Sequence, residues 1–160
     1  MIKAYLLDIE PRDGSYHALI RVAPRFGSTG LLVVRHWHES DTRRRQELIM
    51  GEIADFVTSV EECSEWPGTM LIDHTATVFT FRLAPRVIES LLHKASGPFD
   101  WLSPALPEDL CFFRFDGDPW LTTISHERVG ALDLTDSELI ALREGIPNLV
   151  LSPESDETGG

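Results

Sequence analysis

The residues best suited to chemistry are the two histidines of the segment His36-Trp37-His38. On an extended strand, side chains two positions apart point to the same face and lie about 6.6 Å apart along the chain. Two imidazoles at this spacing can bind one metal ion, with His17 or His74 as a third ligand. This arrangement would suit a small metal-dependent enzyme. The other interpretation is a pair of half-exposed histidines on an edge strand.

A second group of candidate residues is acidic and lies near the end of the chain. Residues 101–160 carry twelve carboxylates and three basic side chains, a net charge of −9 in a chain whose total is −12. Such a chain lacks the basic surface that phosphate binding requires, so we expect neither nucleic acid nor a membrane as partner. We expect a basic protein partner instead, because complementary charge speeds and orients association.

The acidic residues that could contact such a partner surround a predicted hairpin. The turn Asp116-Gly117-Asp118-Pro119 lies between two apolar runs, with Trp120 beside it and Glu127 after the next strand. Aromatic residues bordered by charge are common at interaction hot spots. However, Trp66, Trp101 and Trp120 also look like core residues that anchor loops. The predicted partner-binding residues are Asp116, Asp118, Trp120 and Glu127; no catalytic residue, metal ligand or cofactor is assigned.

Other combinations of reactive residue types predict little chemistry. Ser125-His126-Glu127 contains the residue types of a catalytic triad, but neighbours on a strand point to opposite faces. Cys63 lies among the acids Glu61, Glu62 and Glu65, whose negative charge disfavours a thiolate. The sequence therefore favours a non-enzymatic protein without excluding an enzyme.

Length and composition are those of one globular domain. The chain has 160 residues, of which 42% are hydrophobic and 25% charged. No apolar run reaches the roughly 18 residues that a membrane span needs, and the first residues do not resemble a signal peptide. The two cysteines, Cys63 and Cys111, form no disulfide framework. We therefore expect a cytoplasmic protein with a single domain over 1–151 and a disordered acidic tail over 152–160.

Hydrophobic periodicity predicts the elements that would position these residues. The predicted strands are 2–9, 15–23, 31–38, 69–72, 75–83, 110–115, 120–125 and 129–134, with a last edge segment over 146–151. Helices are predicted to begin near Ser40-Asp41-Thr42, at Ala84-Pro85 and at a capping box from Thr135 to Glu138. The first helix is expected to continue to Val60, since apolar residues recur at helical spacing from Ile49 onward.

These elements predict an α+β fold. The first two strands flank an Asp13-Gly14 turn, and most of the other strands also pair as hairpins. Because strands and helices do not alternate strictly, a parallel sheet is disfavoured. We expect a mostly antiparallel sheet built from hairpins, with about three helices packed on one face.

The stretch from Glu61 to Glu138 also resembles a group of uncharacterised small acidic bacterial proteins. The segments that carry the resemblance are Glu65-Trp66-Pro67-Gly68-Thr69, Leu106-Pro107-Glu108-Asp109-Leu110, Asp116-Gly117-Asp118-Pro119-Trp120-Leu121 and Ser125-His126-Glu127. Similar proteins are often immunity proteins of bacterial toxin systems. The resemblance implies an acidic protein that neutralises a basic toxin, and the metal-dependent enzyme remains the alternative.

Overall fold

The computed structural model describes residues 1–37, 39–146 and 148–155. These residues form an eight-stranded sheet, a separate two-stranded hairpin and four α-helices. The strands are β1 (Lys3–Leu7), β2 (Thr29–Val34), β3 (Val57–Cys63), β4 (Glu65–Trp66), β5 (Thr69–Met70), β6 (Ala76–Arg82), β7 (Glu108–Phe113), β8 (Pro119–Ile124), β9 (Val129–Leu134) and β10 (Leu151–Pro153). The helices are α1 (Gly14–Val22), α2 (Ser40–Gly51), α3 (Pro85–Lys94) and α4 (Asp136–Gly145).

The large sheet has the strand order β10-β1-β9-β8-β7-β2-β6-β3. Every neighbouring pair in it is antiparallel. Strands β7, β8 and β9 follow one another as hairpins, whereas β1 and β2 enter the sheet at separate places. The predicted α+β class with a mostly antiparallel sheet is confirmed, and α1 is a helix in addition to the three expected.

The helices cover one face of the sheet, called here the helix face. Leu32 and Val34 of β2 belong to one buried cluster with side chains from all four helices, among them Met50 of α2 and Leu142 of α4. Apolar burial of this kind contributes about 25 cal/mol per Å² of surface removed from water. The helix face therefore holds the main core of the protein.

The opposite face is covered in part by residues 64–75, called here the flap, which carry β4 and β5. Leu31, Val33 and Cys111 point to this side and form a second, smaller buried cluster with Trp66 of the flap. Strand β2 is therefore buried on both faces. This explains why its apolar run is continuous and does not alternate.

Residues 15–23 form helix α1, so the predicted strand there is wrong. Tyr16, Leu19 and Ile20 are fully buried at positions i, i+3 and i+4, which is the spacing of a helical face. The Tyr16 hydroxyl donates a hydrogen bond of 2.8 Å to the carbonyl oxygen of Leu91 in α3. The apolar residues of this segment also alternate as they would in a strand. The segment is a helix because this conformation lets its apolar face pack against α3.

The predicted continuation of the α2 helix to Val60 is also wrong. The helix ends at Gly51, a short 3₁₀ turn follows over Ala54–Phe56, and β3 begins at Val57. Glycine disfavours a helix by about 1 kcal/mol relative to alanine. The following Val57-Thr58-Ser59-Val60 is rich in β-branched residues, which fit a strand better.

The first turns of α3 and α4 follow the predicted signals. Pro85 occupies the first turn of α3. At the start of α4, the Glu138 backbone N–H donates to Thr135 Oγ1 at 3.2 Å, and the Thr135 N–H donates to Glu138 Oε1 at 2.8 Å. This is the predicted capping box. No helix in the described part of the chain is long and apolar enough to cross a membrane.

The end of the described chain corrects the predicted start of the tail. Ser152 and Pro153 belong to β10 and pair with Leu6 and Tyr5 of β1. Regular structure therefore continues past residue 151, where the domain was predicted to end. Residues 156–160 of the predicted tail lie outside the described residues.

Candidate interaction site

Asp116 and Asp118 lie in the turn between β7 and β8, as the sequence predicts. The Gly117 N–H donates to the Arg114 carbonyl at 2.9 Å, and the Asp118 N–H donates to Asp116 Oδ1 at 3.0 Å. Gly117 has a φ of +92°, a conformation that side chains rarely adopt. Asp116 therefore stabilises the turn locally, and both carboxylates stay exposed.

Two further carboxylates join this turn from other parts of the chain. Asp133 lies on β9 opposite Ala4, and the N–H of Glu154 donates to the Ala4 carbonyl oxygen at 2.9 Å. Burial raises the pKa of Asp133, and the charges of Glu154 and Asp118 raise it further against the opposing effect of Arg114. We call Asp116, Asp118, Asp133 and Glu154 the tip cluster.

An arginine–glutamate pair supports the tip cluster from beneath. Arg114 donates from both terminal nitrogens to Glu138, at 3.0 and 2.7 Å, and also to the Asp133 carbonyl oxygen at 3.1 Å. Burial alone would raise the pKa of Glu138, but the hydrogen bonds from Arg114 and Thr135 hold it below its ordinary value. Because Glu138 balances Arg114, the four carboxylates of the tip cluster keep their excess negative charge.

Trp120 does not belong to the exposed site, and its predicted contact role is corrected. Its side chain is 1% exposed and stacks on Phe26, with ring centroids 5.1 Å apart. The register of β7 and β8 shifts here, so that Phe112 pairs with Leu121 and the next residue, Phe113, pairs with Pro119. Trp120 is the extra residue of a β-bulge, which turns its ring into the core beside Leu121.

Glu127 is exposed but lies away from the tip cluster. It follows the far end of β8, and six strand residues at about 3.3 Å each place it roughly 20 Å from Asp118. Its carboxylate lies 3.8 Å from His126 Nε2. The predicted contact set is therefore split between the two ends of β8.

The other two tryptophans near acidic residues are also buried. Trp66 is 5% exposed and Trp101 is 1% exposed. The Trp101 indole N–H donates to the Tyr16 hydroxyl at 3.0 Å, which joins the loop before β7 to α1. Of the two interpretations that the sequence left open, the loop-anchoring one is confirmed.

The histidines do not form a metal centre in the described part of the chain. His36 Nε2 lies 2.7 Å from Thr77 Oγ1 and 3.3 Å from Glu62 Oε2, while His74 Nδ1 is hydrogen-bonded to a backbone carbonyl. His17 lies on α1 and not on the strand predicted for residues 15–23. His38 lies outside the described residues. Among the described residues, no three His, Cys, Asp or Glu side chains are grouped closely enough to hold a metal ion.

The two cysteines are free and neither environment favours a thiolate. Burial raises the pKa of Cys63, and the charges of Glu61 and Glu62 add to this shift. Burial raises the pKa of Cys111 to about 12. A nucleophilic cysteine requires the opposite, a lowered pKa.

A buried charged pair beneath the flap was missed by the sequence reasoning. Arg35 and Glu108 are 4% and 3% exposed, and Arg35 Nη1 lies 3.6 Å from Glu108 Oε2. The Arg35 guanidinium also lies over two aromatic rings, 3.9 Å from the centroid of Trp37 and 5.3 Å from that of Trp66. The signal was present in part, since Arg35 directly follows an apolar run and Glu108 lies two residues before one.

Asp109 joins the flap to the large sheet. It is fully buried, and its carboxylate accepts from the Trp66 indole N–H at 3.0 Å and from the Ser125 N–H at 2.9 Å. Its φ of +59° lies in the left-handed region, which Asp tolerates better than most residues. These bonds fix the position of Trp66 and with it the flap.

Comparison with family models, with curated proteins and with solved structures finds no match for this chain. The candidate site is therefore defined by its own residues alone.

Proposed function

We propose that this protein is a non-enzymatic interaction protein that binds a basic protein partner through the tip cluster. The observation that supports this proposal is the convergence of four carboxylates from three separate segments around one exposed turn. Asp116 and Asp118 come from the β7–β8 turn, Asp133 from β9 and Glu154 from the residue after β10.

Electrostatic crowding within the tip cluster favours a basic partner. Like charges held close together repel, and the raised pKa of Asp133 is partly a result of Glu154 and Asp118. Lysine or arginine side chains of a partner would relieve this repulsion. Phe115, which is 68% exposed beside the turn, offers apolar contact next to the charges.

The more specific form of the proposal is an immunity protein of a bacterial toxin system that acts in the cytoplasm. The tip cluster would cover a basic surface of the toxin. The net charge of −12 supports a basic protein over nucleic acid or an anionic membrane. In such complexes complementary charge mainly raises the association rate, and it does so most strongly at low salt.

A pair of matched variants tests the proposal. Asp116→Lys/Asp118→Lys reverses two charges of the tip cluster, and Glu127→Lys/Glu144→Lys reverses two exposed carboxylates elsewhere with the same change in net charge. Each protein is immobilised and exposed to bacterial lysate at several salt concentrations, and the captured proteins are identified by mass spectrometry.

We expect wild type and the Glu127/Glu144 variant to capture the same basic protein, and salt to weaken that capture. The Asp116→Lys/Asp118→Lys variant, called here the tip variant, should lose this capture. If the tip variant captures the same protein with unchanged salt dependence, the tip cluster is not the binding site. Equal loss in both variants would mean that overall charge alone attracts the partner.

A further inference from the structure

The outer side of the flap exposes large apolar side chains. Met70 and Ile72 are 70% and 79% exposed, whereas Leu71 between them packs against the smaller core cluster. Side chains of an extended segment alternate in direction, so burial of Leu71 turns both neighbours outward. Trp37 is 62% exposed, and its ring shares the Arg35 guanidinium with Trp66 of the flap. Methionine and aromatic residues are common in binding surfaces.

The buried residues Arg35 and Asp109 contact Trp37 and the flap and so favour one arrangement of this surface. The Arg35 guanidinium lies 3.9 Å from the centroid of the Trp37 ring and 5.3 Å from that of Trp66, and Trp66 is hydrogen-bonded to the buried Asp109. Trp66 pairs with Thr69 across the hairpin, one residue before Met70. A surface that is ordered before binding loses less conformational entropy when a partner arrives.

The charged residues of the flap and of β3, which precedes it, are acidic in the sequence. Residues 46–81 contain seven carboxylates and neither lysine nor arginine. Glu65 pairs directly with Met70 in the hairpin, and Glu61 and Asp73 are also exposed. Burial and the neighbouring Glu61 and Glu62 raise the pKa of Cys63, as expected in a negative environment.

We propose that Trp37, Glu65, Met70 and Ile72, called here the flap surface, bind a protein segment in which apolar side chains alternate with lysine or arginine. The apolar residues of the segment cover Met70, Ile72 and the Trp37 ring, and its basic residues face Glu65 and the neighbouring acids. A second copy of this chain is a poor occupant, because it would place these acids against each other. This surface is separate from the tip cluster and does not depend on it.

Synthetic peptides provide a defined test. The first peptide alternates leucine with lysine, the second replaces leucine by serine, and the third replaces lysine by glutamate. Binding is followed by tryptophan fluorescence, to which Trp37 contributes a selective signal because the other three tryptophans are at most 5% exposed. Calorimetry measures the same affinities independently, so that Trp37→Phe can be used to assign the fluorescence change.

The Met70→Ser/Ile72→Ser variant removes the apolar side chains that would contact the peptide. Because both positions are exposed, the fold should tolerate the two substitutions. Matched controls are Leu48→Ser/Ile140→Ser, which alters two exposed apolar residues elsewhere, and the tip variant Asp116→Lys/Asp118→Lys. Thermal unfolding monitored by circular dichroism confirms that each variant is folded.

We expect the leucine–lysine peptide to bind wild type at least about tenfold more tightly than the other two peptides. Met70→Ser/Ile72→Ser should lose about tenfold in affinity, and the two control variants should change by less than about threefold. Equal binding of the serine–lysine peptide would show attraction by charge alone and overturn the proposal. Unchanged affinity of Met70→Ser/Ile72→Ser would also overturn it. So would a wild-type dimer in sedimentation that this variant abolishes, because the occupant would then be a second copy.

Discussion

Two arginine–glutamate pairs support the two candidate surfaces, and they are built differently. Arg114 and Glu138, beneath the tip cluster, each keep 14% of the side chain exposed and form two direct hydrogen bonds. Arg35 and Glu108, beneath the flap, keep 5% and 4% and approach to only 3.6 Å. Neither Arg35 Nη1 nor Glu108 Oε2 has a hydrogen-bond partner within the described residues.

The difference indicates what each pair contributes. The Arg114 pair connects the β7–β8 hairpin to α4 by well-formed hydrogen bonds near solvent, so that breaking it leaves groups that water can reach. The Arg35 pair is enclosed by aromatic rings, so that removing one partner leaves a charge that water cannot reach. Among the described residues, an ion pair without direct hydrogen bonds thus lies beneath the flap, whereas a hydrogen-bonded ion pair connects the hairpin to α4.

The largest decrease in the free energy of unfolding is expected from Arg35→Met. Removing one partner of a buried ion pair typically costs about 3–5 kcal/mol, because the remaining charge is buried without compensation. Urea unfolding should show this loss. The double variant Arg35→Met/Glu108→Leu should recover most of it, because neither charge then remains. If the double variant is no more stable than Arg35→Met, burial of an unpaired charge is not the cause.

The next effect is expected from Asp109→Asn at the base of the flap. The amide keeps one accepting oxygen, so either the Trp66 or the Ser125 N–H loses its acceptor, at a cost of about 1–3 kcal/mol. Asparagine tolerates the left-handed backbone conformation, and the loss therefore reports the hydrogen bonds and not strain. Urea unfolding measures the cost, and acrylamide quenching in a Trp37→Phe background, which lacks the exposed tryptophan, should show a more accessible Trp66. Unchanged stability would show that Asp109 does not anchor the flap.

A smaller effect is expected from Glu138→Gln under the hairpin. Glutamine preserves the capping box but loses the charge-assisted bonds to Arg114, which should cost about 1–2 kcal/mol at neutral pH. Because the pKa of Glu138 is lowered in the folded protein, its stabilising effect is present above the ordinary glutamate value and is lost as pH falls through the folded value. Urea unfolding across acidic pH should therefore show the difference between wild type and variant shrinking. A constant difference would argue against an ionic contribution.

The smallest change in the free energy of unfolding is expected from Asp133→Asn. Unlike the other three variants, this one should be more stable than wild type at neutral pH. The pKa of Asp133 is raised in the folded protein, so the folded state holds its proton more tightly and stability falls as pH rises through this range. At neutral pH the variant should be more stable than wild type by less than about 1 kcal/mol, since the group is partly exposed to solvent. Thermal unfolding at neutral and acidic pH tests this. Destabilisation at neutral pH would show that the tip cluster is not electrostatically crowded.

The sequence predicts local features better than it predicts burial. The β7–β8 turn and the α4 capping box depend on residues close together in the chain, and both are confirmed. The α1 segment was predicted wrongly because its apolar residues fit two periodicities, and only the packing against α3 distinguishes them. Trp120 was placed on the surface because a one-residue bulge cannot be seen in an alternating pattern.

The candidate surfaces could be predicted only in part for a similar reason. Asp116 and Asp118 are two positions apart in the chain and were found, whereas Asp133 and Glu154 reach them through strand pairing. Strict alternation in β9, where Leu132 and Leu134 are buried, already places Asp133 on the opposite face. The absence of lysine and arginine over residues 46–81 was visible in the sequence, but only the structure shows which apolar side chains lie exposed there.

Carbodiimide cross-linking of the captured complex tests the central claim most directly. The reagent joins carboxylates to lysine amines without a spacer, so that mass spectrometry of the linked peptides locates the partner's lysines on this chain. We predict links at Asp116, Asp118 and Glu154, with none at the exposed Glu127 and Glu144. Links distributed over all exposed carboxylates, or concentrated at Glu127 and Glu144, would contradict binding of a basic partner by the tip cluster.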